Sequence, residues 1–521
     1  MSAPSAPASP HTPPPPLEGR ARTMATVALS LATFMNVLDT TIANVSLPAI
    51  AGDVGVSPNQ GTWVITSFAV ANAISVPLTG WLTQRFGAVR LFVASILLFT
   101  LASLLCGLST SLPMLIAFRI LQGAVAGPMI PLSQTLLMSS YPKEKVGLAL
   151  AAWSMTTLVA PVMGPILGGW ISDNISWPWI FYVNIPAGLL AAWVVWGIFK
   201  TRETPRRLVP VDLVGLVLLV VWVAALQLTL DKGKELDWFN SSEIILLAIT
   251  AFVGFCFFIV WELGEAHPVV DLHLFRKRNF TVATLAVSLG YGLFFGTVVL
   301  MPLWLQQFMG YTSTWAGLAT APIGILAILL SPVVGKNLPK FDARYVASIA
   351  FVIFALVSFM RSQFTTQVDY WTLFLPQFIQ GAAMATFFIP LVSISLSQVA
   401  PQQIPSASGV SSFVRITCGA LGASIFTTLW ESRAGQHHAQ LAEGINPFRP
   451  EAANTLAQMQ ASGMSEQQAL SVIDRLLNQQ SFTLAADELF WASAILFVLL
   501  TVTVWFATPV RGGKAGAGGD H

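Results

Sequence analysis

"TFMNVLDTTIANVSLP", residues 33–48, is an apolar helical stretch with a carboxylate in its middle. Met35, Val37, Leu38, Ile42 and Val45 suit a hydrocarbon environment, and no basic residue stands near Asp39 in the sequence. An acid at mid-bilayer costs ~2.5–3.5 kcal/mol on insertion scales, so such residues face a bundle interior or a wet cavity and carry function. Asn36 lies three residues earlier and shares the helix face of Asp39. The stretch therefore predicts a many-span bundle built around a polar path.

Composition agrees. Of 521 residues, 55% are hydrophobic and 10% charged, where soluble chains carry about 25% charged residues. Mean hydropathy is +0.69. Cys106, Cys256 and Cys418 each lie in an apolar run with no CxxC and no metal spacing, and read as packing residues. Residues 1–24 are rich in Pro, Ala and Ser and lack the pattern of a secretory signal, so they are expected to form a flexible tail, as are residues 509–521.

Apolar runs long enough to cross ~30 Å of hydrocarbon as helix fall near 25–48, 60–82, 90–108, 113–138, 147–171, 179–199, 211–230, 243–263, 279–306, 314–335, 345–361, 371–399, 406–431 and 487–508, numbered here spans 1 to 14. An even number puts both termini on one side. Alternate connections, starting from the N-terminus, hold Arg20, Arg22, Arg85, Arg90, Lys143, Lys145, Lys200, Arg202, Arg206, Arg207, Arg276, Lys277, Arg278, Lys336, Lys340, Arg344, Arg511 and Lys514. The opposite set holds only Lys232, Lys234, Arg361, Arg433, Arg449 and Arg475, while Arg119 and Arg415 lie inside spans. The positive-inside rule predicts cytoplasmic termini.

Span 4 contains "FRILQGAVAGPMIPL" (118–132) and span 12 "QFIQGAAMATFFIPL" (377–391). Both carry Gln-Gly-Ala followed by Ile-Pro-Leu, with one extra residue in the second copy. Eight spans separate them. Two six-span halves, 25–199 and 279–508, with two spans inserted at 211–263, account for that offset. Parallel halves around a midplane site are a transporter plan. An outside insertion, 432–486, includes "MSEQQALSVIDRLLNQQ" (464–480), where Ser465 and Gln468 form a capping-box pattern before apolar residues at helical spacing. A short helix packed on its own protein and a surface that docks a partner are equally open readings.

Four ordered stretches, "LDTTIANVSLP" (38–48), "GWLTQRFGAVR" (80–90), "RILQGAVAGP" (119–128) and "APVMGPILGGW" (160–170), resemble the motifs of the fourteen-span drug:proton antiporter family of the major facilitator superfamily, and most of all its EmrB-type multidrug exporters. The resemblance covers nearly the whole chain. It implies an all-α membrane protein with the major facilitator superfamily fold, two six-helix halves plus two inserted helices. It implies proton-coupled export of hydrophobic or amphiphilic drugs across a bacterial inner membrane, together with an EmrA-like periplasmic adaptor and a TolC-like outer-membrane channel. It assigns Asp39 and Arg119 to proton coupling. The two are read at similar depth in the outer half, close enough for a switchable contact.

The span-5 motif supplies Gly164, Gly168 and Gly169 for close helix approach and Pro161 and Pro165 for kinks; the resemblance links it to outward transport. Gly123 belongs to the span-4 motif. In the loop after span 2, Gly80 and Gly87 are expected to permit a tight turn and Arg85 and Arg90 to anchor the surface, though Gln84 stands where the family carries Asp. The corresponding second-half loop keeps Gly335, Asp342 and Arg344 loosely. Asn36, Asn72, Gln134, Trp153, Asn184, Tyr291, Gln377, Gln380 and Arg415 are candidates to line the substrate cavity; packing is the alternative for each. Trp63, Trp177 and Trp179 are read as interfacial anchors. No GxxxxGK[ST], HExxH or GxSxG occurs, and His437–His438 lacks further ligands, so no ATPase, no metal site, no cofactor, no enzyme and no nucleic-acid partner is expected. An exporter of one endogenous metabolite or lipid, working alone, is the alternative function.

Overall fold

The structure is a computed structural model describing residues 15–206, 210–445 and 449–510. Within a bilayer every backbone N–H and C=O must find an internal partner, which leaves helices as the solution for apolar runs of this length. The described residues contain helices and connections and no strand. Among the described residues twelve helices are long and apolar enough to cross a membrane, and two bent pairs, each counted as one span, raise the number to fourteen. Each overlaps one of the predicted spans, with several running well beyond the predicted bounds. The bends have local causes. Span 2 is Trp63–Ser75 followed by Thr79–Phe86, bent by 63° around Pro77, which cannot donate to the helix ladder. Span 5 turns by 43° between Pro161 and Ile166; the side chain of Pro165 lies outside the described atoms.

The packing repeats with an offset of eight. Span 1 (Gly19–Val54) packs on spans 5 and 6 as span 9 (Arg278–Gln307) packs on spans 13 and 14; span 2 meets span 4 as span 10 meets span 12; span 3 meets span 6 as span 11 meets span 14. The halves touch along span 5 with span 10, and along spans 2 and 4 with span 13. The inserted spans 7 (Leu213–Lys232) and 8 (Ser242–Gly264) pair with each other, and span 7 leans on spans 2 and 13. Span 8 leaves Phe252 and Val260 more than two-thirds exposed, the surface that hydrocarbon covers.

Caps fix where several spans begin. Asp212 accepts from Gly215 N at 2.9 Å, Asp342 from Arg344 N at 3.0 Å and Asp369 from Thr372 N at 2.9 Å, each satisfying a free helix donor. Asp342 lies between spans 10 and 11. Burial works to raise its carboxyl, but the hydrogen bonds and charge of Arg344 outweigh it and hold the group low.

The insertion at 432–486 corrects one expectation. The capping box is present, with Ser465 N donating to Gln468 Oε1 at 2.9 Å and Gln468 N to Ser465 Oγ at 3.2 Å. It does not open a separate short helix. It starts span 14, which runs unbroken over Glu466–Val504, while span 13 runs over Ile404–Glu443. The insertion is thus two helical extensions with a short helix, Pro450–Ala461, between them. Arg433 and His437 contact Glu488 at 2.7 and 3.1 Å, and His438 contacts Asp474 at 3.3 Å, tying the two arms together. The sequence hides this continuity because polar residues 466–486 interrupt the hydropathy signal without interrupting the helix.

Candidate functional site

Asp39 and Arg119 meet. Arg119 Nη1 donates to Asp39 Oδ2 at 2.6 Å, with both side chains at most 1% exposed. Span 1 brings the acid and span 4 (Leu112–Ser139) the base. The carboxylate's other oxygen accepts from Gln122 Nε2 at 3.0 Å and from Asn184 Nδ2 at 3.1 Å. Asn184 also donates to Ser103 Oγ at 3.0 Å, and Ser103 to Phe181 O at 2.9 Å. Arg119 completes its fork on Val64 O at 3.0 Å and Gln122 Oε1 at 2.7 Å, and its guanidinium carbon stands 4.2 Å from the Phe68 ring centroid. Five spans, 1, 2, 3, 4 and 6, therefore converge on one ion pair. Buried pairs hold only with such a complete set of partners, and removing one member strands the other charge. Gln122 and Asn184 hold the carboxyl group from spans 4 and 6 while Arg119 holds it from span 4.

The first-half motifs surround this pair. A Cβ on Gly164 would overlap Thr41 Oγ1, and one on Gly168 would stand 2.8 Å from Ile42 O. The span-5 motif thus grips span 1 within one turn of Asp39. Gly169 faces more open space, with Val45 Cγ1 at 3.8 Å from its would-be Cβ. Gly123 lets span 4 touch the backbone of span 2 at Phe68 and Asn72. Asn36 donates to Ala126 O at 3.0 Å and is buried in that same contact.

Between spans 2 and 3, Gly87 does make a turn that favours glycine, at φ 88°. Gly80 does not. It lies within a helix, and its would-be Cβ would stand 2.6 Å from Ser406 Cβ on span 13; it seals the halves together. Arg85 stacks over Trp81 with its guanidinium carbon 5.5 Å from the ring centroid. In place of a loop Asp, Glu203 from the connection after span 6 accepts from Val89 N at 3.0 Å and Arg90 N at 2.9 Å. Gly147 and Gly335 close spans 5 and 10 on the same side, each leaving no room for a Cβ against the other's carbonyl oxygen. The structure is thus closed on the side that carries the termini.

The remaining polar residues separate into groups. Arg415 sits among Trp153, Tyr291 and Phe388, with its guanidinium carbon 5.3, 5.8 and 5.4 Å from their ring centroids. Trp153 comes from the first half and the other three from the second. Gln377 and Gln380 are elsewhere. Both accept from Arg361 Nη2, Gln377 at 2.9 Å. Arg361, read from sequence as a loop residue, is 1% exposed, because span 11 carries it into the bundle. Gln377 and Gln380 stand 258 residues after Arg119 and Gln122, so the second half repeats the polar cluster with a displaced Arg and, among the described residues, no acid paired to it. Asn72 and Gln134 are buried. Trp177 is also buried, donating to Asp53 at 2.8 Å, and is no interfacial anchor, whereas Trp63 and Trp179 are exposed. Gln122, Ser103 and Glu203 were not singled out by sequence. Gln122 lies inside a quoted motif, and its spacing of three from Arg119 was the available signal.

The profile of the Major Facilitator Superfamily matches residues 29–427. Multidrug export protein EmrB of Escherichia coli strain K12 is 51% identical over 97% of this chain and 99% of its own length. Fatty acid resistance protein FarB of Neisseria gonorrhoeae is 52% identical over 95% of this chain and 98% of its own. Among solved structures, the proton:xylose symporter XylE bound to 6-bromo-6-deoxy-D-glucose superposes with a TM-score of 0.58 at 14% identity, covering 95% of this chain and 98% of that one, a likeness of fold.

Proposed function

The chain belongs to the Major Facilitator Superfamily as an EmrB-like, multi-pass membrane transporter, and on that premise we propose that it exports hydrophobic and amphiphilic toxic compounds from the cell in exchange for protons. The observation that carries the coupling is the buried Asp39–Arg119 pair, on which five spans of the first half converge. Asp39 is the proton carrier and Arg119 its alternating partner: when a proton takes the place of Arg119 on the carboxylate, spans 1 and 4 are released from each other. The glycine contact of span 5 with span 1 carries that release toward the interface of the halves. The exporter lies in the inner membrane with cytoplasmic termini, in keeping with the distribution of Lys and Arg.

Reconstituted vesicles with an imposed pH gradient test this reading. Uptake of an amphiphilic dye against its own gradient, abolished by collapsing the pH gradient, is the expected result; a gradient-independent rate contradicts it. The name of the Neisseria relative favours a second reading, an exporter confined to one class of amphiphile. Growth of cells making the protein, on a panel of chemically unrelated toxic compounds, separates the two. Protection against several classes supports multidrug export.

The likeness to a multidrug export protein also supports a tripartite assembly with an EmrA-like adaptor and a TolC-like channel. The paired arms of spans 13 and 14 are the proposed docking element: they leave Leu470 and Leu476 about half exposed. Replacing residues 444–465 with a Gly-Ser linker is expected to reduce co-purification with the adaptor while leaving efflux in adaptor-free vesicles unchanged. Undiminished co-purification removes the arms from the docking surface.

A further inference from the structure

We infer that Arg415 is the anion-binding group of the central site, and that this site takes monoanionic amphiphiles: a carboxylate or phenolate on a flat or extended apolar body. The inference rests on the exporter reading above and specifies its substrate class.

Arg415 is 8% exposed, and its one hydrogen bond among the described residues is a long one, 3.5 Å from Nη2 to Ser412 Oγ. Contrast Arg119, 1% exposed and matched by a carboxylate, two further oxygens and the Phe68 ring. Among the described residues no acid pairs with Arg415, whose one charge neighbour is Tyr291. Spans 9 and 12 contain no Asp or Glu, and those on spans 5 and 13, Asp173, Glu431 and Glu443, stand at least sixteen residues from Trp153 or Arg415, ~24 Å along a helix. Three aromatic faces recover part of the lost hydration of the guanidinium, but rings accept no strong hydrogen bond. Beside it, Trp153 Nε1 is buried with no hydrogen-bond partner among the described residues. A cation and an indole N–H, both donors, thus face one another's surroundings with no acceptor to share. Buried donors of this kind are costly to leave unmade, and an incoming anion supplies what both lack. A cationic ligand would meet only repulsion from Arg415.

The position fits. Trp153, Phe388, Arg415 and Tyr291 lie seven to thirteen residues from the terminal-side ends of their spans, ~10–20 Å deep at helical rise. That is the middle of the bilayer, where the halves of such transporters enclose their ligand. The cage draws on both halves, so its closure depends on how they stand. The rings provide apolar area for the ligand's body while the guanidinium holds its head.

The test is a matched pair of twelve-carbon probes, laurate and dodecyltrimethylammonium, binding to the purified full-length protein and moving in reconstituted vesicles. Arg415→Gln is expected to weaken laurate binding roughly tenfold or more, the effect of losing hydrogen bonds to a charged group, and to leave dodecyltrimethylammonium unchanged or tighter. Trp153→Phe, which keeps a ring and removes the N–H, is expected to weaken laurate by a few-fold and spare the cation. Arg415→Lys should restore part of the laurate affinity. Equal loss of both probes in Arg415→Gln would mean a structural role and overturn the proposal, as would unaltered laurate binding, or no laurate binding by the unsubstituted protein. If the unsubstituted protein moves neither probe in response to a pH gradient, the exporter reading fails instead; binding in detergent still decides Arg415.

Discussion

Asp39→Asn is expected to reduce proton-driven export by roughly 100-fold or more while the protein still binds its substrates. The amide keeps the shape of the carboxylate and one acceptor oxygen, but it can neither take up nor release a proton. Substitution also leaves Arg119 buried without a counter-charge, which costs up to ~3–5 kcal/mol of stability. A loss of transport could then be blamed on a weakened bundle. The double variant Asp39→Asn, Arg119→Gln separates the two effects. It exchanges a buried ion pair for two neutral side chains of similar size, an exchange that is often close to neutral in stability. Thermal unfolding of the double variant should therefore return toward that of the unsubstituted protein, whereas export stays lost. Stability measured alongside pH-driven efflux in vesicles checks both halves of this statement. Full-rate, proton-dependent export by either variant would remove Asp39 from the coupling mechanism.

The pairing of Asp39 with Arg119 was legible because a charge inside an apolar span has few tolerable partners, and counting residues from the span ends put these two at one depth. The identity of the supporting groups was not. Asn184, Gln122 and Ser103 are three of many polar residues in apolar runs, and only the rotation and crossing of spans 3, 4 and 6 decides that these three meet the ion pair. Arg361 illustrates the same limit in reverse. At the edge of a hydropathy window it reads as a loop residue, yet as the last residue of its helix it turns inward and is buried against Gln377. The span count survived because apolar length is a property of the chain itself. Gly80 was misread because a glycine near a loop invites a turn, when the space it vacates is needed by Ser406 from a helix more than three hundred residues away. Distances across the two halves leave no mark in local sequence beyond the presence of a small residue.

That same scarcity of space at the terminal-side contact yields a sharp prediction. Gly147→Val is expected to cut export roughly 10- to 100-fold and shift the protein toward a state open on the side of the termini. Spans 5 and 10 approach so closely here that a Cβ on either Gly147 or Gly335 would overlap the carbonyl oxygen of the other. Neither neighbour is a flexible side chain that can swing away, so the backbones must separate. Forcing extra methyl groups into such a contact costs ~1–3 kcal/mol, and it does so only in the closed arrangement, since the helix ends part when the halves rock. A penalty confined to one state of a two-state exchange moves the populations by the corresponding factor, roughly 5- to 150-fold. Gly147→Ala should lie between the parent and Gly147→Val. Spin labels at Lys145 and Lys336, both exposed beside the contact, report the result in a variant lacking Cys256. The distance between them should lengthen in Gly147→Val, and ligand binding should persist, showing that the bundle remains folded. An unchanged distance together with undiminished export would mean that this glycine pair only packs the helices and does not gate them.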